Sequence, residues 1–103
     1  MTDLQPPYEV EQKIYEVCVT ACMSFMKLAL ATTQITRVAQ SVTAYVVHGD
    51  KSHLEKLPNP SQPDAVYVLE CLEAVKNDSY FVVHSTVLGD RVKVLSKMFK
   101  CKP

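Results

Sequence analysis

From Ile14 to Val46, residues of one character recur in alternating steps of four and three. They are Ile14, Cys18, Ala21, Phe25, Leu28, Thr32, Ile35, Ala39, Val42 and Val46. All but Thr32 are apolar, and neither proline nor glycine falls between Tyr8 and His48. A 4-3 spacing keeps one stripe of an α-helix turned toward a partner. The pattern predicts a helix over about 8–47 whose seam is covered along its whole length. The flanks are apolar as well, with Val10, Val17, Ala31, Val38 and Tyr45 on one side and Cys22 and Ala29 on the other. A face that wide suits a helical bundle better than a two-stranded coil.

The punctuation around this segment agrees with a helix. Pro6 and Pro7 suit its first turn, where no amide donor is needed, and Glu9 and Glu11 complement the dipole there. Gly49 is placed for a left-handed C-terminal cap. Asp50 to Gln62 holds Pro58 and Pro60 among short polar residues and reads as a loop. Ser61-Gln62-Pro63-Asp64 has the form of a capping box. A second helix over about 63–88 follows, with Ala65, Val68, Leu69, Leu72 and Val75 on one face.

Beyond Lys76 two readings stand. Asn77-Asp78-Ser79 either ends the second helix or weakens it. Val82, Val83, Thr86 and Val87 favour a strand, so a β-hairpin turning at Gly89-Asp90 is one possibility. Val94, Leu95, Met98 and Phe99 recur at helical spacing, and Asp90 suits an N-cap. These favour a C-terminal helix over about 90–101, with Gly89 marking a break. The expected fold is therefore all-α and a single domain, 1–103. It is a long antiparallel helical hairpin that closes a four-helix bundle as a homodimer. A monomeric bundle whose third helix folds back is the alternative.

Composition removes several classes of function. The formal net charge is zero, so no global field draws in nucleic acid or membrane. No run of about 18 uncharged apolar residues exists, because Lys27 interrupts the most apolar stretch. A chain with only Gly49 and Gly89 has no glycine-rich phosphate loop. The polar N-terminus has no secretory character, so Cys18, Cys22, Cys71 and Cys101 are expected to be reduced thiols of a cytoplasmic protein. Cys18 and Cys22 lie one helical turn apart, but zinc needs two further ligands. In a hairpin turning near residue 56, neither Cys71 nor Cys101 converges on them. Core packing is the expected role of these thiols, with no metal and no cofactor. His48, His53 and His84 are scattered, and Glu70 and Glu73 read as solvated carboxylates. No small-molecule substrate and no reaction is evident, and a non-enzymatic protein is expected.

Binding residues are sought away from the seam. Between Val17 and Val47 only Lys27 and Arg37 are charged, and they share a stripe with Thr20, Gln34, Ser41 and His48. Lys27, Gln34, Arg37 and Ser41 are of the types that touch phosphate and sugar oxygens without reading bases. Arg91, Lys93, Lys97 and Lys100 add a basic C-terminal segment interleaved with Val92, Val94, Leu95, Met98 and Phe99. Both sets also suit plain solvated helix faces and dipole complementation.

The segment from Ala21-Cys22 through Ser41-Val42-Thr43-Ala44-Tyr45 is similar in spacing and character to the long helix of the nodavirus silencing suppressors. The similarity covers less than a third of the chain. It implies a small all-helical dimer that binds double-stranded RNA along its long helices and shields it from the host's RNA-interference nuclease. Phe25 and Thr32 fall near the places of that family's principal RNA-binding lysine and arginine. Lys27 and Arg37 would act from neighbouring positions, and the neutral net charge departs from the family pattern. The leading expectation is a homodimeric helical interaction module that binds a macromolecular partner, either a protein or double-stranded RNA. A double-stranded RNA-binding dimer is the alternative.

Overall fold

The computed structural model describes residues 8–25 and 32–100. Four α-helices lie among them: α1 (Tyr8–Phe25), α2 (Thr32–His48), α3 (Ala65–Asn77) and α4 (Ser79–Lys100). A 3-10 turn, Lys51–Lys56, follows α2. No strand occurs among the described residues, so the fold there is all-α and the β-hairpin over 80–100 is not formed.

The single helix expected over 8–47 is two helices packed side by side. Glu11, in the first turn of α1, meets His48, the last residue of α2, at 3.4 Å. The two therefore run antiparallel. Forty residues of α-helix would span about 60 Å, whereas the longest dimension of the molecule is 42 Å. Folding back lets the two halves of the seam cover each other. Ile14 and Cys18 on α1 and Ile35, Ala39, Val42 and Val46 on α2 are all buried in one core. Ala21 is half-buried, and Leu28 and the Phe25 side chain lie outside the described residues. A 4-3 repeat reports which side of a helix is covered. It does not report where the chain reverses.

Much of the flanks that seemed to need a second chain is covered from within; Val17 is half-buried, and Ala29 and Ala31 lie outside the described residues. Val10, Cys22, Val38 and Tyr45 are buried, with α3 packed on both α1 and α2. Its Tyr67, Val68, Cys71, Leu72 and Val75 complete the core.

Gly49 adopts φ +76° and its N–H donates to the Tyr45 carbonyl at 2.8 Å, ending α2 as a left-handed cap. The start of α3 differs from the expected capping box. Asp64 is the N-cap and its side chain makes no capping bond, while Ser61 donates through its N–H and hydroxyl to Asn59 Oδ1. A chain of turns from Asn59 to Tyr67 leads into the helix instead.

The break between the last two helices falls at Asp78, not at Gly89. Asp78 is extended at φ −79°, ψ 136°. Its N–H closes α3 on the Val75 carbonyl, and its own carbonyl accepts from the Val82 N–H to open α4. Gly89 and Asp90 lie inside α4, so Asp90 caps nothing. Asn, Asp and Ser in a row favour local hydrogen bonding over continued helix, whereas one glycine only weakens a helix.

Candidate interaction surface and the thiol core

Helix α4 is two-faced. Phe81, Leu88, Val92, Leu95 and Phe99 are buried, spaced to lie on one side of the helix. On other sides Val82 is 61 % exposed, Val83 75 %, Val94 40 % and Met98 38 %. These four make up most of the large apolar residues open to solvent among the described residues; Met23, near the end of α1, is the other. A groove of about 890 Å³ runs beside the helix, lined in part by Lys76, Thr86, Gly89, Lys93 and Lys97. The Ser96 hydroxyl borders it and is buried without a hydrogen-bond partner. Among the described residues nothing outside its own stretch of helix stands over Gly89, where an added Cβ would have open space.

The candidate nucleic-acid contacts do not form one surface. Gln34 and Arg37 are exposed on α2, and Lys93 and Lys97 are exposed on α4. Ser41 is buried at 6 % exposure, on the core side of α2. Arg91 turns inward and donates from Nη1 to the Val46 and Val47 carbonyls at 3.0 and 2.9 Å. It caps the C-terminal end of α2 and is not available to an anion on the surface. A cation satisfies the orphan carbonyls and the negative pole of a helix end together. Lys27 and the Lys100 side chain lie outside the described residues.

Cys18, Cys22 and Cys71 lie in the core as expected, but their register differs from expectation. Cys71 does converge on the α1 pair, with its Sγ 3.6 Å from that of Cys22. The expected register paired Cys71 with the end of a 40-residue helix. Because the chain reverses between α1 and α2, Cys71 meets the last turns of α1 instead. Cys18, Cys22 and Cys71 are all fully buried and unbridged. The Cys71 thiol lies 3.9 Å from the Cys18 carbonyl, and the Cys22 thiol 3.5 Å from the Tyr67 carbonyl. The hydrogen bonds of Cys71 with Cys18 and Cys22, reinforced by burial, push its pKa well above the ordinary thiol range. No cluster among the described residues has the arrangement of a metal centre.

Two further dents lie on the described surface. One, of about 440 Å³, lies between α1 and α2 and is lined by Glu11, Gln12, Tyr15, Gln40, Thr43 and Ala44. The other, of about 410 Å³, lies where Lys13 and Glu16 of α1 approach Asn77 and Asp78. No helix among the described residues is long and apolar enough to cross a membrane. No family model, curated protein or solved structure shows a significant match to this chain.

Proposed function

We propose that this chain is a non-enzymatic helical interaction module that assembles as a homodimer through the outer face of α4. The carrying observation is the exposure of Val83, Val94 and Met98 within one third of the circumference of α4, which carries most of the exposed large apolar side chains among the described residues. Leaving such side chains in water forgoes roughly 25 cal/mol for each Å² that a partner would cover.

Three features favour a second copy as the occupant. A two-fold interface must be self-complementary, so that residue i meets j and j meets i. Antiparallel pairing of α4 about the midpoint of 83 and 98 sets Val83 of each copy against Met98 of the other. The axis then passes by Asp90, where Lys93, one turn away, offsets repulsion between the two carboxylates. A formal net charge of zero opposes self-association little. Two α3–α4 pairs joined in this way make a four-helix interface. The three free, buried thiols suit a reducing compartment, which supports a cytoplasmic location.

The double-stranded RNA reading draws less support. With Ser41 buried and Arg91 engaged, it retains Gln34, Arg37, Lys93 and Lys97 as exposed contacts among the described residues. A phosphate-tracking surface gains from each added cation, and these are few. Light scattering on the eluting protein should give twice the 11.6 kDa chain mass. A gel shift with arbitrary-sequence duplex RNA should show no retarded band even at low salt. Monomer mass at high micromolar concentration would contradict the dimer. A tight shift that falls steeply with salt would replace this reading with the RNA one.

A further inference from the structure

Cys22 and Cys71 join the two helices that hold the core together, and packing alone does not use their chemistry. Their sulfurs stand 3.6 Å apart. A disulfide needs about 2.05 Å, so the sulfurs must close by about 1.5 Å, within reach of side-chain rotation and a small helix shift. We propose that Cys22 and Cys71 form a reversible disulfide that fastens α1 to α3 when the surroundings become oxidising. This is independent of whether α4 makes a dimer.

Cys22 is fully buried, as Cys71 is, so an oxidant reaches it only when α1 and α3 part locally. The two thiols are unequal. The Cys22 pKa is drawn down by the hydrogen bond from Cys71, against the effect of burial. The Cys71 pKa is pushed up, so Cys71 keeps its proton longer. The exchange balances with either thiol attacking first; with Cys22 first, Cys71 resolves. With oxidised glutathione as the oxidant, the Cys22 thiolate attacks one glutathione sulfur and expels the first glutathione thiolate. Cys71 then gives its proton to solvent and attacks the Cys22 sulfur, expelling the second. Two cysteine thiols are oxidised, and one glutathione disulfide is reduced to two thiols.

The closed loop spans a separation of 49 residues and contains α2 and the 3-10 turn. Linking positions so far apart restricts the unfolded chain strongly. The test is to hold the folded full-length chain in graded oxidised glutathione and map the cysteines by mass spectrometry without reduction. A Cys22–Cys71 linked peptide, two hydrogens lost from the intact mass, unchanged helix content and a raised melting temperature reversed by dithiothreitol are expected. A link that forms only in denaturant would overturn the proposal. So would a dominant Cys18–Cys71 link, or a glutathione adduct that stays on Cys22 unresolved.

Discussion

Gly49 and Arg91 act as one unit. A Cβ built on Gly49 would stand 2.9 Å from the Arg91 guanidinium, and the residue's φ of +76° already disfavours any other side chain. Arg91 needs that space to reach the Val46 and Val47 carbonyls. Gly49→Ala should cost about 1–2 kcal/mol from backbone strain alone, and Arg91→Ala about 1–3 kcal/mol from the unpartnered carbonyls. Because both changes disturb one contact, their combined cost should fall short of additive in chemical denaturation. Full additivity would separate cap from cation. Asp50 carries a pH effect nearby. Its carboxylate accepts from the Ser52 N–H at 3.0 Å. The hydrogen bonds from Ser52, the backbone one first, hold it below the usual carboxylate range. The stabilisation of the 3-10 turn is present above the unfolded pKa and is lost as pH falls through the lower folded value. An NMR titration should place the Asp50 midpoint below that of an unfolded peptide. A midpoint at or above it would remove the cap.

At the scale of elements, Gly89 separates two accounts of the C-terminal region. If α4 runs unbroken from Ser79 to Lys100, glycine at its centre only weakens it. Space above Gly89 is open, so Gly89→Ala should raise stability by about 0.5–1 kcal/mol in thermal unfolding. A loss of that size would mean a turn or break at Gly89 after all. The apolar periods of α1, α2 and α3 were readable from spacing, as was the Gly49 cap. The reversal between α1 and α2 was not, because no proline or glycine marks it and both halves share one 4-3 phase. The choice between Asp78 and Gly89 turned on local polar competition against glycine entropy, two effects of similar size. The roles of Arg91 and Cys71 depend on partners more than 40 positions away, which spacing along a helix does not encode.

At the scale of the molecule, the apolar face of the first helices is, among the described residues, largely closed by α1, α2 and α3 themselves, and most of the exposed apolar surface lies on α4. The case for a partner therefore rests on residues 82–98, whose β-branched composition had also suited a strand. Val83 is the sharpest probe, because at 75 % exposure its replacement disturbs no core contact. Sedimentation velocity of the native chain and of Val83→Glu, each at high micromolar concentration with helix content checked by circular dichroism, tests the dimer directly. The native chain should sediment as a dimer and Val83→Glu as a folded monomer. A native monomer, or a Val83→Glu dimer as tight as the native one, would contradict self-association through α4.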